Sequence, residues 1–169
     1  MVAGQKNNTK ESEQKGQRLI AELRKAPQEC NTTLCLRLIA AGASLNTRTE
    51  YGDTALLLAA AYGHTDLALA LLEKGADTDM QNEKGNTALT YAAWYGRTDI
   101  THALLEKGAD AGLKTKKGQT AWDLAAENGH HDLAQAIRTH HIRKTFTAAA
   151  KKGTKQPRKI IRRKMGAAP

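Results

Sequence analysis

Apolar and polar positions come in blocks along this chain, and the blocks recur. Ala55 to Tyr62 is an almost unbroken apolar run, and Leu67, Leu71 and Leu72 follow it at helical spacing. A polar stretch, Ala76 to Gly85, then separates them from the next apolar run. Thr54 precedes the first run, where a hydroxyl can accept from the free N–H groups of a helical first turn. Gly63 follows it, and glycine readily takes the left-handed conformation that ends helices. A second helix is expected from about Thr65–Asp66, since the helix dipole favours an acid in the first turn. Gly75 ends that helix. The unit is therefore helix, turn, helix and a long projecting loop.

The unit repeats. Gly52, Gly85 and Gly118 stand one period of 33 residues apart, as do Gly63, Gly96 and Gly129, and Gly42, Gly75 and Gly108. Thr54-Ala55-Leu56 returns as Thr87-Ala88-Leu89 and Thr120-Ala121-Trp122, and Leu38-Ile39 as Leu71-Leu72, Leu104-Leu105 and Ala136-Ile137. Units of this size cannot bury their apolar faces alone, so they stack. The pattern predicts an all-α solenoid of about four units. The first is degenerate: it lacks the Gly-x-Thr start, and its helices are expected at Gln17–Ala26, ended by Pro27, and about Thr32–Ala41. The last helix, about His131 to His140, mixes apolar Leu133, Ala136 and Ile137 with polar Gln135, Arg138 and His140, as an end cap requires. The expected layout is a disordered segment 1–17, an array 18–141 in units 18–50, 51–83, 84–116 and 117–141, and a mostly disordered basic tail 142–169.

These residues resemble the ankyrin repeat. The match runs through Gly52-Asp53-Thr54-Ala55-Leu56-Leu57-Leu58-Ala59-Ala60, Gly63, Leu71-Leu72 and Gly75-Ala76-Asp77, and again from Gly85 and Gly118. It covers about Arg18 to His141. The motif proline is replaced by Ala55, Ala88 and Ala121, and the motif histidine by Leu57, Thr90 and Asp123. Losing the histidine removes a loop-bracing hydrogen bond that the family pattern implies. The resemblance implies helix pairs with projecting β-turn loops and a scaffold that binds proteins.

The resemblance also places the partner surface on the loop tips and the inner face of the first helices. The candidate residues are Tyr51, Asp53, Tyr62, Glu83, Lys84, Asn86, Trp94, Tyr95, Lys116 and Lys117. Tyr51, Tyr62, Trp94 and Tyr95 are four of only seven aromatic residues in the chain. Such side chains concentrate at interface hot spots; the alternative is that Tyr62 and Tyr95 only cover the groove between units. Tyr91 and Trp122 fall at core positions. Glu50, Asp53 and Glu83 lie toward the first loops and Lys114, Lys116 and Lys117 at the last, a gradient that would orient a partner of opposite polarity or simply keep the surface solvated.

Composition sharpens this picture at the ends. The net charge is +9, yet ten Lys or Arg residues and no Asp or Glu fall within 142–169, so the body is nearly neutral. Lys151, Lys152, Arg158, Lys159, Arg162, Arg163 and Lys164 form two clusters. They are candidates for nucleic acid, an anionic membrane surface or a two-part nuclear import signal, and the alternative is a solvating tail. Cys30 and Cys35 are the only cysteines and lie in one unit without a second pair, so neither a zinc site nor a disulfide framework is expected. The polar N-terminus lacks the apolar stretch of a secretory signal. An intracellular, cytoplasmic location is expected, extending to the nucleus in a cell that has one. His130-His131 and His140-His141 read as helix-start and helix-end residues rather than ligands. No Gly-rich phosphate loop, His-Glu-x-x-His or nucleophile elbow occurs. The expectation is a monomeric, non-enzymatic binding protein without metal or cofactor.

Overall fold

The computed structural model describes residues 3–25 and 30–151, with side chains in 8–25 and 30–150. Among them are eight helices: α1 (Ala3–Leu23), α2 (Thr32–Ala40), α3 (Ala55–Tyr62), α4 (Thr65–Glu73), α5 (Ala88–Trp94), α6 (Thr98–Glu106), α7 (Ala121–Glu127) and α8 (His131–Lys151). Strand-like pairing among the described residues is limited to a bridge between Arg48 and Thr54. The fold is an all-α helical repeat.

Caps set the helix limits. Thr54, Thr87 and Thr120 are extended N-caps whose hydroxyls accept from Leu57, Thr90 and Asp123 backbone N–H groups. At the position where a motif histidine is missing, Thr90 and Asp123 reach back to the N–H of Thr87 and Thr120, closing capping boxes. Two of the three replacements thus supply a local brace, which Leu57 cannot. At the other end, Arg97 N–H donates to the Ala92 carbonyl and His130 N–H to that of Ala125, satisfying carbonyls left open as α5 and α7 finish.

The first helices α1, α3, α5 and α7 pack in one row and the second helices α2, α4, α6 and α8 in another, each pair joined within its unit. Leu56, Leu57, Leu67, Leu71, Leu89, Ile100, Leu104, Leu124 and Ile137 are fully buried between the rows. Ala59, Ala60, Ala92, Ala93 and Ala125 are equally buried, and their size lets neighbouring helices approach. Ala55 to Ala60 of α3 are all buried, which explains the unbroken apolar run, while Tyr62 at its end is exposed.

Both ends depart from expectation. Helix α1 begins at Ala3, within the segment 1–17 expected to be disordered, and stops at Leu23 rather than Ala26. Ala26 and Pro27 lie outside the described residues. Its polar middle, around Ser12 and Lys15, is held against the Ala41–Thr47 turn. Ser12 Oγ donates to the Gly42 carbonyl at 2.8 Å, Lys15 Nζ to that of Ala41 at 3.1 Å, and Ser44 N–H to that of Ser12 at 2.9 Å. These contacts are polar, so no apolar period announces them. Helix α8 continues to Lys151, through the first part of the tail expected to be disordered. Good helix formers such as Ala148, Ala149 and Ala150 propagate it, and Lys144 Nζ ties it to the Gly108 carbonyl at 2.7 Å.

Candidate binding face

Three loops project from the stack, around Arg48–Thr54, Gln81–Thr87 and Lys114–Thr120, and each leans on the next. Glu83 N–H donates to the Tyr51 carbonyl at 3.1 Å, and Lys116 N–H to the Lys84 carbonyl at 2.9 Å. Arg48 reaches the Gln81 carbonyl at 2.9 Å, and Gln81 Nε2 reaches those of Gly85 and Lys114. Gly85 has a φ of 76°, and a Cβ there would meet the Lys116 nitrogen at 2.8 Å. A side chain would therefore push the second and third tips apart.

Asn82, buried within the second loop, organises the tips. Its Nδ2 donates to Asp53 Oδ1 at 2.7 Å and to the Tyr91 hydroxyl at 3.1 Å, while its Oδ1 accepts from Lys84 and Asn86 N–H groups. No sequence motif singles out this residue. Its signal was positional: Thr49 and Thr115 stand one period away and brace their own loops, Thr49 Oγ1 accepting from Tyr51 and Asp53 and Thr115 Oγ1 from Gln119.

Tyr62, Tyr91 and Tyr95, together with Asp53 and Arg97, line a groove of ≈ 420 Å³ between the first helices of the second and third units. The Tyr91 and Tyr95 rings lie nearly parallel, 6.5 Å apart. Burial holds the Tyr91 phenol above its ordinary pKa. Tyr91, expected in the core, packs against it only in part and turns its hydroxyl to the Asn82 amide. Trp122 also packs partly on the core, against His141 with ring centroids 5.3 Å apart. Arg97, missed in sequence, lies over Gly63, where a Cβ would meet its guanidinium carbon at 2.8 Å.

Of the ten candidates, the groove brings together Tyr62, Tyr95 and Asp53. Tyr51 is 60% exposed on the first tip and Trp94 42% exposed at the end of α5. Glu83, Lys84, Lys116 and Lys117 are exposed on the tips, and Asn86 is half-buried. Part of the acidic end is already engaged, Asp53 by Asn82 and Glu50 by Arg24 at 3.3 Å. Of the polyanion candidates, Lys151 closes α8. Lys152, Arg158, Lys159, Arg162, Arg163 and Lys164 lie outside the described residues. Among the described residues no three His, Cys, Asp or Glu are grouped to hold a metal ion, and no helix is long and apolar enough to cross a membrane.

Residues 23–115, more than half of the chain, match the family profile described as Ankyrin repeats (3 copies). The chain belongs to the ankyrin repeat family. None of the curated proteins compared with it is a match. Ankyrin repeats are generally protein–protein interaction modules, and the family is typically non-enzymatic. The matched span stops at Thr115. The α7–α8 unit beyond it keeps the Thr-Ala start and stacks on α5 and α6 in the same two rows.

Proposed function

We propose that this ankyrin repeat protein is an adaptor or inhibitor that binds a protein partner across its loop tips and the inner face of its first helices. The observation that carries this reading is the distribution of aromatic residues. Tyr51, Tyr62, Trp94 and Tyr95 are all exposed on the loops and helix ends, and Tyr62 and Tyr95 line one groove, in a chain otherwise poor in aromatics. Rigid aromatic side chains supply large contact area at low entropic cost. The hydrogen-bonded tips add preorganisation, which reduces the ordering cost of binding. The test is capture from cell extract on immobilised protein. The wild type and Lys74→Ala, a change on the outer side of the stack, should retain the same protein. The Trp94→Ala/Tyr95→Ala variant should lose it while keeping its helical spectrum. Equal retention by all three would move the interface elsewhere.

A second reading rests on charge. Arg143 and Lys144 are exposed on the part of α8 that leads into the cationic run, and 142–169 contains no acid. We infer that this end attracts polyanions through charge, independently of the aromatic face.

A further inference from the structure

Cys30 and Cys35 meet at the start of α2. Asn31 is the N-cap of that helix, its Oδ1 accepting from Leu34 N–H at 2.9 Å. Cys30 therefore stands one residue before the cap and Cys35 at the fourth helical position. A pair of apolar side chains at these two positions staples the entry of a chain into a helix. Here the staple is made of thiols. Their sulfurs are 3.9 Å apart, Cys35 fully buried and Cys30 half-buried. The Thr32 N–H donates to the Cys30 carbonyl at 3.0 Å, which steadies the backbone that carries the first sulfur.

We propose that Cys30 and Cys35 form a thiol–disulfide exchange site, at which a small disulfide of the glutathione class converts the staple into a covalent one. Cys30, the more accessible thiol, attacks first as its thiolate. The small disulfide's S–S bond breaks, a mixed disulfide forms on Cys30 Sγ, and one small thiolate leaves. Cys35 Sγ then attacks Cys30 Sγ. The mixed bond breaks, the internal disulfide forms, and the second small thiol leaves with the Cys35 proton. Two electrons pass from the cysteine pair to the small disulfide, which ends as two thiols. Burial first, and then the neighbouring Cys30, push the Cys35 thiol up to about 12. That assigns Cys35 the resolving step, where proximity replaces thiolate concentration. The bond closes the first turn of α2 and stiffens the N-terminal cap of the stack.

The experiment equilibrates the full chain across ratios of reduced to oxidised glutathione, quenches with acid, alkylates, and reads intact mass and melting temperature. The wild type should lose two hydrogens in mass, carry no glutathione, resist alkylation at both positions and melt a few degrees higher than when reduced. Cys35→Ser should trap glutathione on Cys30. Cys30→Ser should leave Cys35 free of glutathione. A lasting adduct on wild-type Cys30, two alkylated thiols at the most oxidising ratio, or a disulfide-linked dimer would overturn the proposal. So would an internal disulfide that leaves the melting temperature unchanged. The wild-type arm decides the matter even if a variant fails to fold.

Discussion

Gly96 shows how much one position carries. Its φ is 63°, and a Cβ there would meet the His130 ring, with Cε1 at 2.5 Å. Gly118 has a φ of 81° with nothing within 4 Å of a Cβ. Gly118→Ala should therefore cost only the backbone term, about 1–2 kcal/mol. Gly96→Ala should cost more, and His130→Ala should relieve the excess; urea denaturation of the three variants and the double variant measures it. His64 carries a second residue-scale prediction. It is half-buried, its Nε2 is without a hydrogen-bond partner, and burial first and Arg97 second hold its pKa below 6.5. The folded state then binds this proton less well than the unfolded chain. Its contribution to stability is full above pH 6.5 and is lost as pH falls through the lowered value. His64→Gln should flatten the fall in urea midpoint between about pH 7.5 and about pH 5, and an unchanged slope would place the titrating group elsewhere. At this scale the buried Leu and Ala residues were legible from their period. Asn82 and Arg97 were not, because each acts on a neighbouring unit that only the fold brings near.

At the scale of the element, the second helix of each unit seals the stack. Leu71 and Leu104 are fully buried in α4 and α6. Truncating either to Ala should cost about 2–5 kcal/mol, read as a lower denaturation midpoint. A change under about half a kcal/mol, within the range of surface substitutions, would place these side chains outside the core. The helices from α3 to α7 were legible because Thr caps open α3, α5 and α7, the first-turn acids Asp66 and Asp99 mark α4 and α6, and a Gly stop follows each apolar run. Helices α1 and α8 were not fully so. The middle of α1 meets the protein through Ser12, Lys15 and Gly16, and the later part of α8 through Lys144 and His141. Such contacts leave no apolar rhythm to read.

At the scale of the molecule, two surfaces of different physics share one chain. The body is nearly neutral and presents aromatic groups, while 142–169 carries ten cations and no acids. If about six of those cations engage duplex DNA, the logarithm of affinity should fall with the logarithm of salt at a slope of about −5. Deleting residues 151–164 should remove most of that dependence; a slope near zero in the intact chain would leave the cations as a solubilising extension. The aromatic face should respond far less to salt, since apolar burial is not screened. Its direct test is the affinity of the captured protein for the wild type and for Trp94→Ala/Tyr95→Ala, measured by titration at one salt concentration with the fold of each checked by its helical spectrum. Binding through this face predicts a loss of about thirtyfold or more, equivalent to about 2 kcal/mol. Unchanged affinity in a folded variant would contradict it.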